Sequence, residues 1–115
     1  MIYIRGPGAD DSGFDWDAAN VAHIARHGPQ PADAEPALSN DPVTLQYAVT
    51  ESGEERWVSV GPTEERRLLV VVWTTRAARV RVVTAYPAVG RLREAYAKAK
   101  QLGEAGAKND PAPQQ

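Results

Sequence analysis

The chain has 115 residues and no cysteine, which is the length of one ordinary domain and excludes disulfides, thiolate metal sites and cysteine nucleophiles. Its longest apolar run, Leu68 to Trp73, is far shorter than the roughly 20 residues that span a bilayer. We therefore expect a cytoplasmic single-domain protein with no membrane contact.

The ionisable residues are unevenly distributed along the chain. Residues 1–55 hold two basic and ten acidic side chains, whereas residues 56–115 hold eleven basic and five acidic ones. Such an asymmetry favours two surfaces of opposite charge. A basic face would meet a polyanion, and an acidic area within residues 1–55 would be the docking area for a basic partner. An accidental distribution set by solubility alone is the alternative.

The predicted elements begin after residues 1–13, whose glycines and proline indicate a flexible lead-in or a short edge strand. Phe14 to Trp16 could form a short strand. Asp17 is a typical N-cap, and the helix that it starts is predicted to stop at Gly28-Pro29.

A second, short helix is predicted over Pro31 to Leu38, with proline in its first turn. Runs of β-branched and alternating residues then predict four strands joined by short turns: Val43 to Val49, Arg56 to Val60, Leu68 to Thr75 and Arg79 to Ala85. Apolar residues at helical spacing after Pro87 predict a last helix. The composition of residues 103–115 indicates a disordered tail.

These elements predict an α+β fold for one domain over residues 14–102. Consecutive strands with short turns pair as an antiparallel meander. We therefore expect a four-stranded antiparallel sheet with two N-terminal helices and one C-terminal helix.

Three segments follow one another in a distinctive order. They are Phe14-Asp15-Trp16-Asp17 with Arg26-His27-Gly28, Glu54 to Gly61, and Leu69 to Thr75 with Val80 to Ala85. Together they resemble the BrnT family, a branch of the RelE-like toxins. They are similar to the family's F-E-W-D opening with its K-H-G helix end, its E-E-R-F-V-T-I-G strand and its paired strands ending in R-I-I-S-A-R.

The resemblance implies a RelE-like fold and a ribonuclease toxin of a type II toxin–antitoxin pair. Such a toxin is expected to cleave RNA without a metal or other cofactor, acting on mRNA that is free or on the ribosome, and so to inhibit translation. Its partner would be a cognate antitoxin of the ribbon-helix-helix type, through which alone the pair would contact DNA.

Two departures from the family pattern lead to an alternative function. Tyr86-Pro87 stands where the family commonly has an arginine, and Leu92 stands where a glutamate is usual. A chain that lost catalysis at these positions would act only as an antitoxin-binding module on a RelE-like scaffold. A third hypothesis is a homo-oligomer that pairs an exposed sheet edge with another copy.

The strand arginines Arg56, Arg79 and Arg81 are the candidate phosphate-binding residues, because the guanidinium group stays charged and offers several donors. Arg56 and Arg81 lie on strands that are adjacent or nearly so, and they could converge on one face of the sheet as catalytic residues. They could instead be solvated, or be ion-pair partners of glutamates such as Glu54.

The remaining candidates lie around the last strand and the helices. Tyr86 could be a general acid or stack on a base, and its alternative is a tyrosine packed beside Pro87. The other candidate RNA-binding residues belong to the basic side of the last helix, which is otherwise a solvated face: Arg91, Arg93 and Lys98.

His23 and His27 lie four residues apart on the first helix, so their imidazoles share a face. Two histidines do not make a metal site without further ligands, and no such signature follows. His27 could be a general base near neutral pH, or it could hydrogen-bond the helix end. We expect no metal site.

Overall fold

The computed structural model describes residues 13–108, and the side chains of residues 13–102. Its elements are α1 (Ala18–Ala25), α2 (Pro31–Ser39), β1 (Val43–Val49), β2 (Glu55–Pro62), β3 (Leu68–Arg76), β4 (Arg79–Pro87) and α3 (Gly90–Lys108). The strands form one antiparallel sheet in the order β1-β2-β3-β4. The predicted α+β architecture, with two helices before the sheet and one after it, is confirmed.

Helix α1 begins where the sequence predicts, at Asp17. The Asp17 carboxylate accepts hydrogen bonds from the backbone N–H groups of Ala19 and Asn20, and the Asn20 side chain accepts one from the N–H of Asp17. This reciprocal capping box satisfies donors that a helix start otherwise leaves unpaired. The Asn20 amide also donates to the carbonyls of Asp15 and Val82, which ties α1 to the outer strand β4.

The sheet carries an apolar cluster on each face. One cluster lies between the sheet and the pair α1 and α2, and its buried members are Phe14, Ile24, Ala34, Ala37, Leu69, Val71, Val82 and Ala85. The other lies under α3, with Val60, Val70 and Ala88 buried and Leu92 and Tyr96 packed against them. The continuous apolar run of β3 follows from this arrangement, because its two faces lie against the two clusters.

Glycine is required where α2 crosses β2. A Cβ atom added to Gly61 would lie 1.8 Å from the carbonyl oxygen of Ala37. The buried Ala34 and Ala37 of α2 therefore reach the sheet at a distance that only a residue without a side chain permits.

The two-residue turn between β3 and β4 is strained. Ala77 and Ala78 have φ angles of 53° and 67°, in the left-handed region. Tight hairpins favour this conformation because its twist matches that of the strands, but Asn-Gly is the usual sequence there. Two alanines at this turn therefore store conformational strain beside the arginines at the strand ends.

The last helix is longer than the sequence predicts. It continues to Lys108, so it includes the first six residues of the segment 103–115. Gly103 and Gly106 weaken a helix by about 1 kcal/mol each relative to alanine, but the alanines, glutamate and lysine between and after them favour it. Residues 1–12 of the predicted lead-in and residues 109–115 of the predicted tail lie outside the described residues.

None of the helices within residues 13–108 has the length and apolar character needed to cross a membrane.

Candidate functional site

Arg56 and Arg81 line one open cleft of about 300 Å³ on the sheet. Arg81 on β4 is the register partner of Thr74 on β3. Thr74 in turn donates from Oγ1 to the carbonyl oxygen of Glu55, the residue before Arg56 on β2, at 2.6 Å. The central strand therefore separates the two arginines by one buried threonine, and the cleft lies over all three strands.

One wall of the cleft belongs to α1, which packs along the outer strand β4. Its lining residues come from α1, the start of β2 and the strands β3 and β4: Ala19, Asn20, His23, Glu54, Arg56, Thr74, Arg76, Arg81, Val82 and Val83. Val83 is the extra residue of a β-bulge, since Val72 pairs with Thr84 and Trp73 pairs with Val82. The bulge bends β4 at the cleft, as bulges near functional sites commonly do.

Arg81 is held by two carboxylates that precede α1. Its Nη1 and Nη2 each lie 3.1 Å from an oxygen of Asp17, and Nη1 lies 3.4 Å from Asp15 Oδ2. The hydrogen bond from Arg81 lowers the pKa of Asp17 below its ordinary value, and the same bond raises the pKa of Arg81. The Arg81 side chain is only 13% exposed. The two parallel contacts between its guanidinium group and the Asp17 carboxylate, called the fork below, therefore fix its position in the cleft.

Arg56 is less fully paired than Arg81. Its Nη2 donates to Glu54 Oε1 at 2.9 Å, and this bond lowers the pKa of Glu54. Its Nε atom is buried and has no hydrogen-bond partner among the described residues. A buried donor without a partner is unfavourable, so an anion that reached Nε would gain a charge-assisted hydrogen bond.

The sequence analysis did not single out Arg76, Glu54 or Asp15 as members of the site. Arg76, interpreted there as part of a turn, ends β3 opposite Arg79 and lines the cleft 3.7 Å from Asp15. The register of the β3–β4 hairpin is the signal that could have found it. The pairing of Asp15 with β4 residues has no such local signal, because 66 positions separate it from Arg81.

Ion pairs among the described residues partly neutralise the charge asymmetry between the two halves of the chain. Acidic residues of the first half pair with basic residues of the second: Asp15 with Arg76 and Arg81, Asp17 with Arg81, and Asp41 with Lys100. At these positions the opposite charges meet instead of forming two separate faces. Charge along the chain is therefore a poor guide to charge on the surface here.

The other predicted site residues do not line this cleft. Arg79 donates to the carbonyl oxygen of Phe14 at 2.9 Å, where Phe14 bridges to β4. The α3 residues Arg91, Arg93 and Lys98 are exposed. They remain available to an extended polyanion but do not join Arg56 and Arg81.

Tyr86 and His27 form a pair of their own. Tyr86 is half-buried and packs with the α3 cluster. Its ring lies 6.0 Å from that of His27, which lies 6.4 Å from the ring of His23 at the cleft. Three rings thus connect the cleft to a second cavity of about 190 Å³ that His27 lines together with Pro87.

Metal-ligating side chains do not gather around these histidines. Within residues 13–108, no three histidine, aspartate or glutamate side chains are grouped as a metal site requires. The chemistry that the cleft itself can support is the binding of an anion by guanidinium groups.

The fold and the cleft together define a small α+β protein whose sheet presents arginines toward an open surface. Within this class, the chain belongs to the BrnT family. Residues 16–91, most of the chain, match the model of the family described as the ribonuclease toxin BrnT of type II toxin–antitoxin systems. The resemblance seen in the three sequence segments is thereby confirmed, and membership of such a family implies an antitoxin partner. No curated protein matches the chain.

Proposed function

We propose that this chain is a ribonuclease toxin that cleaves RNA without a metal ion and so inhibits translation until its cognate antitoxin binds it. The observation that carries this proposal is the convergence of Arg56 and Arg81, from β2 and β4, on one open cleft. Cleavage of RNA needs groups that stabilise charge on the phosphoryl oxygens, and paired guanidinium groups suit that task.

The two arginines take different parts in the proposed reaction. Arg56 contributes the unpaired Nε donor, which is buried, so a phosphate engages it only when the side chain turns toward the cleft. Arg81 is already held by Asp17, so a phosphate must share or displace that carboxylate. Asp17 therefore orients Arg81 and lowers its affinity for RNA at the same time.

His27 and Tyr86 are the candidates for proton transfer in this proposal. They lie outside the cleft, beyond His23, so this role requires the bound RNA to extend from the arginines to within hydrogen-bond reach of the pair. The half-buried Arg79 and the exposed Arg91, Arg93 and Lys98 would guide the RNA backbone by charge. The antitoxin is proposed to be of the ribbon-helix-helix type and to provide the only contact of the pair with DNA.

A second function, an antitoxin-binding module without catalysis, is favoured by a specific observation. Tyr86 and Leu92, which replace the arginine and glutamate usual in the family, both pack with the apolar cluster under α3. At these two positions the chain has exchanged charged groups for packing.

The experiment that separates the two functions follows labelled amino-acid incorporation after the chain is induced alone in bacterial cells. An active toxin stops incorporation. The variants Arg56→Ala and Arg81→Lys should not stop it, and Arg81→Lys removes the fork with Asp17 while it keeps the positive charge. Arg66→Ala is the matched control, because Arg66 is exposed on the β2–β3 loop and outside the cleft. Circular dichroism of each purified variant shows whether it is folded.

The same proteins are then incubated with RNA in the presence of a chelator. Cleavage by the native chain and not by the Arg56 variant supports a metal-free nuclease. Unaltered incorporation at full soluble expression, together with intact RNA, rejects the nuclease and leaves the binding module.

A further inference from the structure

Two large apolar side chains of the described sheet are exposed on β1, on the face opposite the arginine cleft. Tyr47 and Val49, two residues apart on β1, are 54% and 55% exposed. Helix α2 packs on β2 and β3, whereas β1 contacts α3 from the other side. The two side chains therefore lie beyond the helix that covers the rest of their face.

A row of aromatic rings continues from Tyr47 across the sheet. Tyr47 pairs with Trp57 on β2, with ring centroids 5.6 Å apart, and Trp57 stacks on Trp73 of β3 at 4.5 Å. Trp73 is anchored by a hydrogen bond from its indole to Ser59 Oγ. We call this row, with Val49, the aromatic ladder. Tyr47 is the exposed ring of the row, whereas Trp57 and Trp73 are half-buried, and an exposed aromatic ring can bind cations and planar groups.

The strand that carries Tyr47 and Val49 is also an edge of the four-stranded sheet. Among residues 13–108, β1 pairs with β2 only, so within the described part of the chain its other side presents unpaired backbone groups. Natural edge strands are commonly protected by charged residues or proline. Between Val43 and Val49 there is neither. A register irregularity at Leu45 interrupts the first part of β1, so the regular part of the edge, from Gln46 to Val49, is open to an added strand.

The charge around the ladder selects the kind of partner. Two acids of the segment 41–55, Asp41 and Glu54, are already paired with Lys100 and Arg56. That leaves Glu55, the register partner of Val49, and Glu51; both are exposed, and neither forms an ion pair among the side chains of residues 13–102. Glu55 accepts a hydrogen bond from the Tyr47 hydroxyl at 2.6 Å, which raises the pKa of Tyr47. This negative potential disfavours the phosphates of RNA and also a second copy, which would bring the same acidic segment.

We propose that the β1 edge and the aromatic ladder form the docking surface for an extended, basic segment of the antitoxin. The segment adds a fifth strand beside β1 and lays alternate apolar or arginine side chains over Tyr47 and Trp57. This inference rests on the proposed neutralisation by an antitoxin, and it assigns that neutralisation to a face other than the cleft.

The test uses the whole chain and a synthetic eight-residue peptide of alternating valine and arginine with blocked ends. Amide NMR spectra of the labelled chain should show shifts confined to β1 and the Trp57 indole, with slower hydrogen exchange along β1. A peptide of the same composition with its valines and arginines in separate blocks should bind about tenfold more weakly, because its side chains do not alternate.

Two variants sharpen the assignment. Tyr47→Lys with Val49→Lys should weaken binding of the alternating peptide by about tenfold or more, since it places positive charge under the cationic strand. Val89→Lys is the matched control, because Val89 is 71% exposed outside the ladder, and it should bind as the native chain does. Equal binding of the two peptides, or equal loss in both variants, overturns the proposal.

Other occupants give distinct results. Shifts of the ladder on addition of oligouridylate would assign the surface to RNA and overturn the proposal. A doubled mass in sedimentation for the native chain, and a single mass for the double-lysine variant, would assign it to a second copy.

Failure of the docking surface can be told apart from failure of the toxin. The double-lysine variant, induced alone, should stop translation as the native chain does, because it leaves Arg56 and Arg81 untouched. A native chain that stops translation but does not bind the alternating peptide refutes only the docking surface. A chain that binds the peptide without affecting translation keeps the docking surface and rejects the nuclease.

Discussion

Replacement of Gly61 by alanine should destabilise the fold more than any change of comparable size elsewhere. The added Cβ would lie 1.8 Å from the carbonyl oxygen and 2.8 Å from the carbonyl carbon of Ala37. Both atoms belong to the α2 backbone, so no side-chain rotation relieves the clash. Helix α2 must therefore move away from β2 by about 1 Å or more, and such backbone shifts at an overpacked site cost considerable free energy.

The magnitude follows from what that movement disturbs. Overpacking of a well-packed site costs about 1–3 kcal/mol, and a backbone clash belongs at the upper end. Ala34 and Ala37 of α2 are completely buried, and each re-exposed methyl adds about 0.8 kcal/mol. We expect Gly61→Ala to lower the free energy of unfolding by about 3–5 kcal/mol, and the urea midpoint by about 2 M.

Urea unfolding followed by tryptophan fluorescence measures this, with Gly53→Ala as the matched control. Gly53 has a φ of 91° and open space around its Cβ position, so alanine there meets only conformational strain of about 1–2 kcal/mol. Adding Ala37→Gly to the Gly61 variant should restore nothing, because the clashing oxygen remains. A Gly61 variant no less stable than the Gly53 variant would refute the close contact between α2 and β2.

Three further outcomes are expected from other parts of the fold. Asn20→Ala should lower the free energy of unfolding by about 1–3 kcal/mol in urea, because it leaves the Val82 carbonyl and other buried groups without their partner; an unchanged midpoint would contradict this. The hydrogen bond from Arg81 lowers the pKa of Asp17 in the folded chain. The bond therefore adds to the free energy of unfolding above the unfolded pKa of Asp17, near 3.8, and this addition is lost as the pH falls through the folded pKa. Denaturation curves between pH 7 and 2 should therefore fall more steeply below pH 4 for the native chain than for Asp17→Asn, and superimposable curves would argue against that bond. Ala78→Gly should raise the melting temperature, with a gain of about 1 kcal/mol, because glycine adopts a φ of 67° without strain; a lower melting temperature would exclude strain at the turn.

Much of the fold was predictable because its signals are local. The Asp17 N-cap, the Gly28-Pro29 stop and the β-branched runs each depend on residues close together in the chain, and each element formed where they indicated. The shared face of Arg56 and Arg81 was accessible for the same reason, since strand alternation and the meander order place both over Thr74. The family could also be recognised from the sequence, because the resemblance depends on the order of short motifs.

Only the tertiary structure decided which charges compensate one another and which candidate residues meet. The fork between Arg81 and Asp17 joins residues 64 positions apart, and no spacing rule predicts such a pair. Nor does the sequence say that Tyr86 packs under α3 while His23 reaches the cleft. The sequence by itself determined the elements and the faces of the strands, through local conformational preference and periodicity. The neighbours of each charged group depend on how helices cross the sheet, and that is settled by packing contacts between distant segments, such as α2 against Gly61.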